Sequence, residues 1–148
     1  MISSFFIRSQ SLSKLYHFLL KPLLDQYGLT QIEADILLFL ANNPPMDTAS
    51  DIVEKRHLSK SHVSVGVDSL VRRGYLARSC RDGNRKTIHL QPLPAADEVI
   101  AAGQAIQRQY AQCLFRGFDC DEISALSEML NRIADNVDDA LSSAKERT

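Results

Sequence analysis

The chain lacks the usual marks of an enzyme, a metalloprotein or a membrane protein. His17, His57, His62 and His89 form no H-x-x-x-H pair, and Cys80, Cys113 and Cys120 form no C-x-x-C, so no local metal-ligand spacing is present. Serine, histidine and aspartate occur without a G-x-S-x-G elbow or a glycine-rich phosphate loop. No catalytic residue, metal or cofactor is therefore expected. Three scattered cysteines are not a disulfide framework and fit a reducing compartment. No apolar run reaches the roughly 18 residues of a membrane span. The N-terminal stretch has no basic n-region or small-residue cleavage site, and Lys21-Pro22 interrupts it, so it does not read as a signal peptide. The expectation is a cytoplasmic protein without repeats or low-complexity tracts.

What is there is a core and a divided charge. Of 148 residues, 45% are hydrophobic, enough for one compact domain. The net charge is only -1, but residues 55 to 90 hold nine Lys and Arg against Asp68 and Asp82. That segment is +7 and the rest of the chain is -8. A basic middle between acidic flanks suggests a surface for a polyanion, with a solvated charged face as the plain alternative.

Periodicity and caps divide the chain into elements. Leu12, Leu15, Leu19 and Leu23 recur at helical spacing, predicting a helix over 5–27 that Pro22 kinks or ends and Gly28 stops. Thr30 and Glu33 form a capping box for an apolar helix that Asn42-Asn43-Pro44-Pro45 breaks. Thr48 caps a short helix over 49–56 with Ala49, Ile52 and Val53 inward. Ser59 caps the next, which buries Val63, Val67, Leu70 and Val71 and ends at Gly74. Two short helices in this relation are a helix-turn-helix. Residues 76–80 and 87–90 then read as strands around Asp82-Gly83-Asn84, a hairpin signal. A long helix over 95–116 follows Pro92 and Pro94. A second capping box, Asp119 and Glu122, starts the last helix. Its apolar residues Ile123, Leu126, Leu130, Ile133, Val137, Ala140 and Ala144 form a narrow seam suited to another helix.

The set and order of these pieces resemble the MarR family over nearly the whole chain. The matching residues are Gly28-Leu29-Thr30, Ala49-Ser50-Asp51-Ile52, Leu58-Ser59, Val63-Ser64, Asp68-Ser69-Leu70, Arg73-Gly74-Tyr75-Leu76, Arg78, Arg81-Asp82, Asn84-Arg85-Lys86 and Leu90. The chain departs from the family's pattern at Gln91-Pro92-Leu93, the join after the hairpin. The resemblance implies a mainly α fold with a small β-hairpin wing. Residues 29–91 would form the winged helix-turn-helix lobe, and 1–28 with 92–148 the helical dimerisation region, in a single structural domain.

A recognition helix needs short polar and basic side chains on its outer N-terminal turns. Lys60, Ser61, His62, Ser64 and Val65 are that set, with Gly66 leaving room for close approach of backbone or DNA. Asp68 is expected to pair with Arg72, four residues on. In the resemblance, Arg85 matches the wing arginine that enters the minor groove, Asp82 matches its brace, and Arg81 and Lys86 add phosphate contacts. The resemblance further implies a homodimeric repressor on a palindromic operator in double-stranded DNA, released by a small aromatic or phenolic ligand. Tyr16, His17, Phe39 and Tyr110 are candidates to line its pocket. Two alternatives stand beside this reading. One is a winged helix that binds protein rather than DNA; the other is a regulator switched by the thiols of Cys113 and Cys120.

Overall fold

Side-chain caps set the helix starts in the computed structural model, which describes residues 1–146. Thr30 Oγ1 accepts from the Glu33 amide and Glu33 returns a bond to the Thr30 amide, opening α2, Gln31–Asn42. Thr48 and Asp51 do the same for α3, Ala49–Arg56, and Asp119 and Glu122 for α6, Cys120–Lys145. Ser59 Oγ accepts from the His62 amide and opens α4, Lys60–Arg72. Each such cap satisfies amides that a helix leaves free, for about 0.5–2 kcal/mol. The first helix, α1, spans Ile2–Tyr27, and α5 spans Asp97–Leu114 after a 3-10 turn at Pro94–Ala96.

The described chain divides into two compact units, Met1–Tyr110 and the residues from Ala111 onward. In the first, α2 is buried from Glu33 to Leu40 and forms the centre of the core. Around it pack Leu20, Leu23 and Leu24 of α1, Ile52 of α3, Val63, Val67 and Leu70 of α4, and Val99 of α5. A helix apolar on every side belongs in the middle of such a layer. Its two buried acids are compensated. Arg56 lies 3.3 Å from Asp35, and Arg73 lies 3.7 Å from Glu33. Arg73 also donates to the carbonyls of Tyr27 at 2.5 Å and Gly28 at 2.9 Å, closing the end of α1. Gly28 takes φ 61 there, a left-handed conformation in which a Cβ is strained.

Two details differ from the sequence expectation. Helix α1 runs through Pro22 to Tyr27 and stops at Gly28 as expected, but its inward face is not the expected stripe. Its buried face carries Leu20, Leu23 and Leu24, with Tyr16 and Tyr27 beside them, while Leu12 is exposed and Leu15 and Leu19 only half-buried. Leu19-Leu20 and Leu23-Leu24 are adjacent pairs, so the apolar arc is wider than one stripe and spacing does not choose which edge turns inward. Ala49 is likewise exposed, leaving Ile52 as the fully buried anchor of α3.

The hairpin joins β1, Leu76–Arg81, to β2, Asn84–Pro92, in antiparallel register. Asp82 and Gly83 both have positive φ, 53 and 70, as a two-residue turn matched to strand twist requires. Leu76 pairs with Pro92, Arg78 with Leu90 and Ser79 with His89, and then the register breaks before Arg81 pairs with Asn84. Between those last pairs β1 holds only Cys80, against the Arg85–Ile88 stretch of β2. Such a bulge bends the strand and swings its side chains outward. At the base, the Leu93 amide donates to the Tyr75 carbonyl at 2.9 Å, so the join after the hairpin is closed by a backbone bond.

In the second unit, α6 has no buried side chain. Leu130 is 50% exposed, and Ile133 and Val137 are each 45% exposed, all on the seam read from the sequence. The apolar residues of the first turns of α1, Ile2, Phe5, Phe6 and Ile7, are also exposed. No helix among the described residues is long and apolar enough to cross a membrane, and none of their side chains form a cluster fit for a metal ion.

Candidate nucleic-acid interface

Helix α4 enters its first turn on Ser59 and turns Val63, Val67 and Leu70 into the core. That orientation leaves Lys60, Ser61, His62, Ser64 and Val65 exposed on the opposite face. The structure brings these five together on one surface, as their spacing indicates. Lys60 and Ser64 also border a groove of about 370 Å³ shared with Ser50 and Val53 of α3 and with Arg78, Ile88 and Leu90 of the hairpin.

At Gly66, where close approach of backbone or DNA is expected, the structure shows side chains of α2. The glycine is buried, and a Cβ there would stand 2.8 Å from Ile36 Cδ1 and 3.2 Å from Ile32 Cγ2. The close approach is that of α2, not of DNA.

The hairpin presents Arg81, Asp82, Arg85 and Lys86, all exposed. Their situations differ. Arg85 and Lys86 have no ion pair among the described residues and open the irregular stretch of β2. The Lys86 amide donates to Asn84 Oδ1 at 3.0 Å, which shapes the chain after the turn. Asp82 occupies the turn itself and makes no pair with Arg85. Arg81 is held instead by Asp47, Nη2 to Oδ2 at 2.6 Å. The second oxygen of Asp47 lies 2.7 Å from His89 Nδ1. Asp68 pairs with Arg78 of β1 rather than with Arg72, because the hairpin lies alongside α4 and brings a guanidinium nearer than the helix's own next turn.

These pairs change the electrostatic reading. Arg56, Arg73, Arg78 and Arg81 each face an acid, three of them outside the basic segment. The cations left unpaired among the described residues are Lys55, Lys60, Arg72, Arg85 and Lys86 of that segment. Two of these five lie on α4, two at the start of β2 and one on α3. Asp47 and His89 were not legible as site residues, since their partners lie 34 and 42 residues away.

The residues expected at a ligand pocket do not share one cavity. Tyr16 and Tyr110 pack with ring centroids 5.3 Å apart and planes inclined at 60°, and Tyr110 Oη donates to the Leu12 carbonyl at 3.0 Å. Burial pushes the Tyr16 phenol above its ordinary pKa, partly countered by a bond from Gln107. His17 is exposed with Nδ1 2.8 Å from Gln31 Oε1. Of the four, only Phe39 borders a second cavity, about 330 Å³, with Asp35, Asn42, Lys55, Arg56 and Gln107. Cys80, Cys113 and Cys120 are all free and exposed.

A capped helix-turn-helix followed by a basic hairpin, on a helical frame, defines a winged helix-turn-helix protein. Residues 27–86, from the end of α1 into β2, match the model of the MarR family. The winged helix-turn-helix lobe is thus similar to that family's, and solved transcriptional regulators share the fold of the chain. Among solved structures, the chain resembles the transcriptional regulator PA3341 at 23% identity, with 90% of this chain and 97% of that one covered and a TM-score of 0.79. A MarR family regulator from Listeria monocytogenes, solved with a 26mer DNA, matches at 14% identity, 99% and 94% coverage and TM-score 0.79. BpsR of Bordetella bronchiseptica, whose DNA binding is regulated by 6-hydroxynicotinic acid, matches at 18% identity, 91% and 94% coverage and TM-score 0.69. No curated protein matches the chain in sequence.

Proposed function

We propose that this chain is a homodimeric repressor that binds a palindromic operator and is released by a small aromatic acid or phenol. The observation that carries the reading is the exposed polar face of α4, whose Lys60 and Ser64 share a groove with Arg78 and Ile88 of the hairpin, together with the exposed, unpaired Arg85 and Lys86 of that hairpin. In this reading Lys60, Ser61, His62, Ser64 and Val65 enter the major groove. Arg85 reaches the minor groove, where a narrow A·T-rich stretch attracts it. Arg81 and Lys86 bind phosphate. The exposed seam of α6 supports a second copy, since a contiguous apolar stripe on a long helix is otherwise costly in water. Two copies place two reading helices on half-sites about 10 bp apart. For the ligand, BpsR is regulated by 6-hydroxynicotinic acid, and the cavity beside Phe39 offers the unpaired Lys55 to a carboxylate.

Selection from a random 30-bp duplex library tests the reading. The wild-type chain recovers an inverted repeat, and Arg85→Ala weakens binding to it by roughly 1–3 kcal/mol. A chain that enriches no sequence is not a sequence-specific regulator.

A further inference from the structure

The Asp47 carboxylate stands between α2 and α3, yet both of its oxygens are spent on the hairpin. One accepts from Arg81 Nη2 at 2.6 Å, at the tip end of β1. The other meets His89 Nδ1 at 2.7 Å, in the middle of β2. The backbone repeats the connection. The Leu90 amide donates to the Asp47 carbonyl at 2.7 Å, and Thr48 forms a bridge with His89. Asp47 is largely buried, its side chain 13% exposed, while the Arg81 side chain remains 62% exposed.

That contrast is informative. A guanidinium carries five N–H donors in a rigid plane. Asp47 takes one edge of it from the protein side, and the other donors stay open to solvent. A long side chain held by a buried carboxylate loses less freedom when it meets a ligand than a mobile one does. Arg81 is also the last residue before the turn, directly ahead of the free Arg85 and Lys86. The same carboxylate fixes β2 through His89. Asp47 thus ties both strands of the hairpin to the segment that leads into α3, a second link beside the Asp68–Arg78 pair.

We propose that Asp47 is the positioning residue of the wing: with His89 it holds the Arg81 guanidinium so that its outer edge meets a DNA backbone phosphate. Arg81 then acts from a fixed place, unlike Arg85. The proposal rests on the DNA-binding reading above and adds to it a residue that makes no DNA contact itself. The brace that the resemblance assigned to Asp82 falls to a carboxylate from outside the hairpin.

The test uses the full chain and the duplex that wild type selects. Asp47→Asn keeps the shape and removes the charge. It is expected to weaken binding about tenfold and to make the dependence of log K on log salt shallower by up to about one, the loss of one phosphate contact. In an Arg81→Ala background the same change has no further effect. An equal loss with and without Arg81 means that Asp47 acts through the fold and overturns the proposal. Tighter binding also overturns it, because Asp47 would then be withholding Arg81 from DNA. If no duplex is selected, the regulatory reading fails, and the clamp is judged on the free protein from the Arg81 side-chain 15N signals. Slow guanidinium rotation in wild type that Asp47→Asn abolishes supports the clamp. An Arg81 as mobile as Arg85 refutes it.

Discussion

Asp68 on α4 accepts a hydrogen bond from the guanidinium of Arg78 on β1. The side chains are 56% and 40% exposed, so the pair contributes on the order of 0.2–1 kcal/mol. Asp68→Ala and Arg78→Ala should each destabilise by that amount or less, and the double variant by little more than either. A urea double-mutant cycle reads the coupling. Strictly additive losses would show that the two residues do not stabilise one another.

Two glycines inside helices should respond differently to alanine. Alanine gains about 1 kcal/mol of helix propensity at either. At Gly66 the new methyl meets Ile36 Cδ1 at 2.8 Å, the far end of a side chain that can swing. At Gly103 it meets Leu38 Cδ2 at 2.8 Å, Cδ1 at 3.1 Å and Cγ at 3.3 Å, so the branch point is blocked as well. Overpacking of this kind costs about 1–3 kcal/mol. Gly103→Ala should therefore be clearly destabilising, and Gly66→Ala near neutral to about 1 kcal/mol destabilising. Thermal melts that rank them in the reverse order would contradict this account of the packing.

Two buried acids should pull the acid limb of stability in opposite directions. Burial raises the Asp47 pKa, but the bonds from His89 and Arg81 outweigh it and hold the carboxyl below its ordinary value of 3.8. Asp47 thus contributes stability above 3.8 that is lost as pH falls through its folded value. For Asp35 burial dominates over Arg56 and Gln31, and the pKa is raised. Its ionisation costs stability as pH rises from the unfolded value through the folded one. Relative to wild type, Asp47→Asn should therefore fall behind with rising pH across the carboxylate range, and Asp35→Asn should gain. Urea titrations at several acid pH values measure both differences, and parallel profiles for all three proteins would refute the assignment.

On the proposed reading, the exposed seam of α6 holds a second copy. Leu130→Glu combined with Ile133→Glu should convert a sedimenting dimer to monomer at micromolar concentration, because a charge in an apolar helix interface is costly to desolvate. Operator affinity should drop by orders of magnitude, since the second half-site is no longer tethered to the first. A wild-type monomer under the same conditions would mean that something other than a second copy covers the seam.

The parts legible in the sequence are those decided within a turn or two of chain. The boxes at Thr30-Glu33 and Asp119-Glu122, the Ser59 cap and the Asp82-Gly83 turn bond residues at most three apart. The exposed set on α4 follows from one period and its buried opposite face. What was not legible depends on distant partners. Arg78 and Arg81 looked like free cations, but acids ten and 34 residues away claim them. Gly66 looked open to DNA until Ile36 and Ile32 were found against it. The register break around Cys80 has no local mark, because it arises where two strands of unequal length meet.

Arg73 gives the lobe a pivot. It leaves the end of α4 and grips the Tyr27 and Gly28 carbonyls at the end of α1, so the two helices meet at their carboxyl ends. From that point α4's 13 residues form an arm roughly 20 Å long. A tilt of about 10° at the pivot carries the Lys60 end through about 3.5 Å, close to the ~3.4 Å rise of one base-pair step. A rotation of α1 that carried α4 with it would therefore reach the far end of the arm magnified to the unit in which DNA is spaced.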